Sequence, residues 1–507
     1  MPRQETATTV LVALAAAAAI AIPVRFATAG EVLAAEAPAT ASLALTTCRL
    51  EHPLGLASLA AECGRLNVPE NRTTPGRASL DLFVARVPAL SRHREADPLF
   101  ILAGGPGLGA STFYAGVATA FALVNRNRDI VIVDQRGTGK SSPLLCPFDE
   151  QQMWDISDQE TARIMRDCRD TLARDHELSQ YTTSVAVRDL DAVRAALGYE
   201  RISLYGSSYG TRVAQHYLRR YPARTRALIL DGVVPPTRVL GPSTPLDAEN
   251  ALQRIFTRCR ADSACQKQFG DPQVDYRELR DKLATSAVPI TLADPRSGKP
   301  MQMQFSSNVL VGALRLAGYS SDQAALLPLA LHLANREQQF TPLAAQFLQT
   351  ASDYEDVLSF GMHNSVVCTE DVPFFKEDET ERSRLASTFL GVTQLDALRA
   401  LCADWPRGPI DADFHAPLTS DVPALLLSGT SDPVTPVSFG DEAARGFRNA
   451  VHLKLQDQGH GQLIQPCMDR VMADFLEQAG GKSNLATNCV ERLQPPPFFL
   501  SLNGPGP

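Results

Sequence analysis

A serine hydroxyl becomes a useful nucleophile only when a base takes its proton and donors await the oxyanion it creates. The stretch "YGSSYG", residues 205–210, offers such a serine. It fits G-x-S-x-G with Ser208 central and Ser207 in the variable place. The apolar run "RISL" precedes it and a helical pattern follows. Small flanking residues permit the sharp strand-to-helix turn that exposes a nucleophile. The bland reading is a small-residue turn; the strand before and the helix after favour chemistry. The N–H of Tyr209, at the helix start, would then point at the developing negative charge.

Nine histidines compete to be the base. His460 lies in "QGHGQ", a glycine-flanked loop after the strand-like "VHLKL", and loops at strand ends carry reactive groups. His452 alternates with apolar residues inside that strand and reads as structural. His216 sits on the helix behind Ser208 and should face away. His332 and His363 fall in a helical stretch from which they could touch a substrate. The acid that orients an imidazole should follow another strand. Asp432, in "LLLSGTSDPVTP", stands at such an end before a proline. Asp231, ending "ALILD", is the runner-up, with capping of the next turn as its plain role; Asp457 is a third candidate. A second oxyanion donor is expected from "AGGPG", residues 103–107, where glycines let backbone approach a carbonyl; the N–H of Gly105 is the choice. "DQRGTGKSS", residues 134–142, lacks the G-x-x-x-x-G-K-[ST] spacing of a phosphate loop, which excludes that nucleotide site. No cysteine pair has C-x-x-C spacing, and this chemistry requires neither metal nor cofactor.

Several elements must hold these groups. "PLFILAGG", "RDIVIVDQ", "RISLYG" and "ALILDG" read as buried strands, with helical patterns at "SVAVRDLDAVRAALG" and "YGTRVAQHYLRRYP". The alternation predicts an α/β fold whose mostly parallel sheet is covered on both faces. From about Thr237 to Pro417 helical patterns dominate and strand signals are few. Strand-then-loop units then return. The expected division is a core over 48–236 and 418–490, split by a helical insert over 237–417. A tail at 491–507, rich in Pro and Gly, is expected to be loose.

The formal net charge of −8 and the lack of a basic stripe argue against nucleic-acid partners. An apolar run from about Val10 to Val24, followed by "ATA", predicts a signal peptide over residues 1–29. The chain would then be secreted or periplasmic, with no stable membrane span after cleavage. Ten cysteines fall as neighbours: Cys48 and Cys63, Cys146 and Cys168, Cys259 and Cys265, Cys368 and Cys402, Cys467 and Cys489. That pattern suggests local disulfides in an oxidising compartment, with connectivity left open by spacing alone.

"GGPG", "DQRGTGKS", "GSSYG", "GTSDPVTP" and "GHG", in this order, resemble the proline iminopeptidase and tripeptidyl aminopeptidase branch of the α/β-hydrolases. The resemblance runs from about Cys48 to Cys489. It implies an α/β-hydrolase fold with a helical cap. It also implies a Ser208–Asp432–His460 triad that hydrolyses short peptides from a free N-terminus through an acyl-enzyme. Proline iminopeptidases usually carry His before "GGPG"; Ala103 stands here, which weakens a strictly prolyl assignment. An exopeptidase must also hold the substrate ammonium, and a desolvated cation needs a counter-charge. "HNSVVCTEDVPFF" resembles the family's Cys-x-acid stretch. It makes Glu370 the first choice for that task and Asp371 the second, with Phe374 and Phe375 lining an apolar pocket. The alternative is a solvated acidic turn beside packed aromatics. An esterase, or another small-molecule hydrolase, could use the same triad.

Overall fold

"LFIL", "IVIV" and "ALLLSG" present no polar face, so each strand must be covered on both sides. The computed structural model describes residues 42–74, 76, 78–146, 158–294, 297–355, 358–478 and 485–504, and in it every residue of these three strands is buried. The predicted signal peptide and the end of the tail lie outside the described residues.

The strands are β1 (Thr46–Glu51), β2 (Ser58–Pro69), β3 (Ser79–Val87), β4 (Leu99–Leu102), β5 (Ile130–Val133), β6 (Ile202–Ser207), β7 (Thr225–Asp231), β8 (Val288–Ala293), β9 (Pro300–Phe305), β10 (Ala424–Gly429) and β11 (Ala450–Leu455). Nine form one sheet in the order β1-β2-β3-β5-β4-β6-β7-β10-β11. From β5 to β11 across this sheet all pairings are parallel. The β1, β2 and β3 strands are antiparallel, and β3 joins β5 in antiparallel register. The expected mostly parallel sheet is present. Its antiparallel edge was not among the expectations.

Side chains alternate across the sheet. Phe100 and Leu102 enter a core with Leu204, Val213 and Tyr209. Leu99 and Ile101 enter one with Tyr205, Ile229 and Phe475 on the opposite face. The helix Thr183–Ala196 starts where Thr182 accepts from the Val185 N–H, and Gly198 follows its end at φ 77°. Helix Tyr209–Arg220 buries Val213, Ala214, Tyr217 and Leu218.

Between β7 and β10 the described residues are mostly helical, and β8 and β9 pair as a separate antiparallel hairpin. The alternating burial of that hairpin leaves much of it exposed, which weakens its apolar signal in the sequence. Helices Thr244–Ala261, Ser307–Ala317 and Ser321–Arg336 share a third core through Phe256, Leu310 and Leu331.

The expectation of a loose tail is corrected by this third core. Phe498 is 4% exposed within it, under the Arg258 guanidinium, which lies 4.2 Å from the ring centroid. The Phe499 N–H donates to the Ala325 carbonyl. Two aromatic residues among the prolines supply the buried area that composition alone did not suggest. The ten cysteines pair as nearest neighbours in five disulfides. Among the described residues no helix is long and apolar enough to cross a membrane.

Candidate active site

The turn after β6 forces a non-glycine residue into a left-handed conformation: Ser208 has φ 53° and ψ −122°. Such strain persists only where the surroundings fix it. Two glycines make it possible. A Cβ on Gly206 would meet the Gly210 carbonyl oxygen at 2.4 Å, and one on Gly210 would meet the Leu102 carbonyl oxygen at 2.3 Å. The Ser208 N–H donates to the Asp231 carbonyl at 2.8 Å. Ser208 is thus the residue immediately before the first turn of helix Tyr209–Arg220.

Gly104 packs against this turn; its Cβ position lies 3.0 Å from the Ser208 Cβ. The next residue, Gly105, adopts φ 107° and lies near Leu358, whose Cδ1 would be 3.3 Å from an added Cβ. The Gly107 carbonyl accepts from the Ser359 N–H, and the His363 imidazole meets the Pro106 carbonyl through Nδ1 at 3.2 Å. The "AGGPG" loop therefore lies between the serine turn and the start of helix Phe360–Glu370. Asp134 ties the start of helix Ala110–Val117, which follows this loop, to its own turn, accepting from the Ser111 N–H at 2.7 Å and the Lys140 N–H at 2.8 Å. This gives "DQRGTGKS" a structural role in holding that helix start.

After β10 and β11 the predicted acid and base meet. His460 Nδ1 donates to Asp432 Oδ2 at 2.8 Å, with the Asp432 side chain fully buried. Asp432 Oδ1 accepts from the Val434 and Thr435 N–H groups at 2.8 Å each. The Thr435 hydroxyl reaches both Asp432 Oδ2, at 2.7 Å, and His460 Nδ1, at 3.1 Å. Burial pulls the His460 pKa down. The charge and hydrogen bond of Asp432, helped by the charge of Asp231, outweigh burial and hold it above the ordinary value. Tyr319 closes the far side: its ring centroid is 5.3 Å from that of His460 and its carbonyl accepts the His460 N–H.

The other candidates have different surroundings. His452 lies between Asp441 and Ser428. His216 is buried against Asp411 and Ser184. His332 bonds Asp275 within the helical region. Asp231 reaches the backbone of the His460 loop at Gln462 and Leu463, whereas Asp432 takes the ring.

Glu370 and Asp371 are drawn into a buried network. Glu370 accepts from the N–H and hydroxyl of Thr183 at 2.6 and 2.8 Å, and the Thr183 hydroxyl also meets the Tyr209 phenol at 2.6 Å. Asp371 binds Arg212 through both nitrogens of the guanidinium fork, at 3.0 and 2.9 Å, and accepts from the Leu240 N–H. Their side chains are 0% and 1% exposed. Burial pushes the Glu370 pKa up to about 7 despite the opposing charge of Arg212. Phe374 packs on His415, and Phe375 lies against Gly241 with the Arg399 guanidinium over its ring.

Sequence reasoning overlooked Thr435, Tyr319 and Arg212. The side-chain turn in "SDPVT" was a usable local signal for Thr435. Tyr319 and Arg212 gain their partners only through long-range folding. Among the described residues no group of three or more His, Cys, Asp or Glu side chains is arranged to hold a metal.

Two family models match the chain: one described as the alpha/beta hydrolase fold over residues 97–283, and one described as TAP-like protein over residues 387–489. Serine protease Hip1 of Mycobacterium tuberculosis is 29% identical over 470 residues, covering 85% of this chain and 88% of its own. A tripeptidyl aminopeptidase of Streptomyces coelicolor is 25% identical over 472 residues, covering 86% and 84%. Carboxylesterase B of Mycobacterium tuberculosis is 29% identical over 417 residues, covering 76% and 78%.

Proposed function

We infer that this chain, a member of the α/β-hydrolases with a TAP-like C-terminal region, is an exported serine aminopeptidase acting on short peptides. The observation that carries the reading is the Asp432–His460 hydrogen bond, joined through Asp231 to a serine held in a strained strand-to-helix turn. In this reading Ser208 Oγ attacks the substrate carbonyl and His460 Nε2 takes its proton. Asp432 fixes the ring with Nδ1 protonated, leaving Nε2 free to accept, and stabilises the imidazolium that forms. The Tyr209 and Gly105 N–H groups receive the oxyanion. Collapse of the tetrahedral species expels the amine, which takes the proton from His460. Water then hydrolyses the acyl-enzyme by the same route.

Peptides are favoured as substrates by the protease and aminopeptidase relatives, which span most of this chain. Five disulfides support export to an oxidising compartment. The helical segment 237–417 is proposed as a cap that limits substrate length. Two buried carboxylates, Glu370 and Asp371, share one guanidinium near Tyr209. When both are ionised the group keeps one negative charge in excess, which would favour a free ammonium nearby even without direct contact.

The esterase reading is supported by the carboxylesterase relative. Arylamides of proline, alanine and a tripeptide, each with free and acetylated N-terminus, separate the two when assayed beside p-nitrophenyl butyrate. Turnover of the free amines, lost on acetylation and in Ser208→Ala, is the expected result. Turnover of the butyrate ester alone would overturn the peptidase reading.

A further inference from the structure

Asp231 ends β7, the strand between the one that leads into Ser208 and the one that leads into Asp432. Its backbone is paired with Ser207 on β6 and with Leu427 on β10. Its carbonyl takes the Ser208 N–H at 2.8 Å. Its carboxylate, fully buried, takes three further bonds. Oδ1 accepts from the Gln462 N–H at 2.7 Å, while Oδ2 accepts from the Leu463 N–H at 2.9 Å and the Tyr205 phenol at 2.9 Å. Gly232 comes next at φ 67°, where an added Cβ would lie 3.0 Å from His460 Cε1. One residue therefore binds the backbone of the serine turn and that of the histidine loop, and its neighbour has little room for a side chain beside the ring.

We propose that Asp231 is a positioning residue for this reaction, fixing the Ser208 turn against the His460 loop and standing near the imidazole as a second negative charge. The proposal rests on the triad reading given above. A buried carboxylate used only to cap a turn could be replaced by a neutral group at little cost to chemistry. Here two N–H groups from one loop converge on the two oxygens, and the phenol adds a third donor. An amide can offer only one acceptor oxygen to the two amides and must turn its NH2 toward the other. The loop carrying His460 would then shift. The charge matters as well. His460 faces Asp432 and Thr435 from the loop after β10, Tyr319 from the helical region and Asp231 from β7. Burial raises the pKa of Asp231 to about 6 against the hydrogen bonds that favour its charge, so it is mostly ionised above neutrality.

The test is Asp231→Asn, compared with wild type and Ser208→Ala across a pH series. The readouts are kcat and KM on the best arylamide and the rate of fluorophosphonate labelling at Ser208. In Asp231→Asn, kcat should fall by about tenfold or more with KM little changed, because misplacement of the base affects chemistry more than binding. The acid limb of kcat/KM should move to lower pH, since an imidazolium that loses a nearby anion gives up its proton more easily. Labelling should slow in parallel. A folded Asp231→Asn with wild-type kcat and an unmoved acid limb would overturn the proposal. If that variant does not fold, Tyr205→Phe carries the test. Loss of the phenol raises the Asp231 pKa, so activity should fall at pH 6–7 relative to pH 8; an unchanged profile overturns the proposal. Activity retained in Ser208→Ala would instead overturn the triad reading itself, and the two failures are thereby distinguished.

Discussion

His460 illustrates how opposing effects at one residue fix a measurable pH. Desolvation favours the neutral ring, but Asp432 at 2.8 Å and the charge of Asp231 favour the cation, and the anions win. In the mechanism proposed above His460 is the general base and must be neutral to act, so activity should fall as pH drops through a value above the ordinary histidine value of about 6.5. A profile of kcat/KM against pH for wild type would measure it; an acid limb well below that value would contradict this balance. Asp432→Asn removes the nearest anion and lets the ring adopt the wrong tautomer. Its kcat should drop by about 10⁴-fold, as for a comparable triad acid changed to its amide. Loss of less than about tenfold would show that another group orients the ring. The turn is equally constrained: Gly210→Ala would drive a methyl to 2.3 Å from the Leu102 carbonyl, so the elbow must deform and fluorophosphonate labelling should be lost.

At the scale of elements, Arg212 joins helix Tyr209–Arg220 to the end of helix Phe360–Glu370. It is buried against two carboxylates, with Asp371 bound bidentately and Glu370 at 3.7 Å. Arg212→Met would leave both acids without their cation, a loss of about 3–5 kcal/mol by analogy with broken buried pairs. The pH dependence has a definite sign. The Glu370 pKa is raised to about 7 in the folded chain, so between its ordinary value and 7 the native state holds a proton that the unfolded state releases. This group therefore lowers stability as pH rises through that window, and losing Arg212 should deepen the effect. Urea melts at pH 5 and pH 8 would read it; an equal deficit at both would contradict the assignment. This network also marks where the sequence ceases to be legible. Arg212 and Asp371 are 159 positions apart, and no periodicity links them. The parallel strands, the elbow and the Asp432–His460 contact were legible because aliphatic runs and glycine turns are local signals. The β8–β9 hairpin was not, since exposed strands lack a continuous apolar run.

At the scale of the whole chain, the C-terminal segment acts as a strap over the helical region. Proline and glycine reduce its own capacity for regular structure, but Phe498 gives it a buried anchor and Ala325 accepts a bond from its backbone. The helical region in turn presents Tyr319, whose carbonyl holds the His460 N–H. The strap therefore bonds to helix Ser321–Arg336, which begins two residues after Tyr319. Phe498→Ala removes a ring from a packed core and should cost about 3 kcal/mol. The loss should concentrate in helices Thr244–Ala261 and Ser321–Arg336, which share that core. Hydrogen exchange would show their amides opening sooner while those of β6 and β7 stay protected, because these two helices lie in a core separate from the two that flank the sheet. Disulfide Cys259–Cys265 closes only a short loop inside this region and does not tie it to the sheet, so it should not mask the effect. Activity in Phe498→Ala should fall with rising temperature before the sheet melts, as His460 loses its support. Uniform acceleration of exchange across all strands and helices would instead mean that the chain unfolds as one unit and that the strap stabilises it globally.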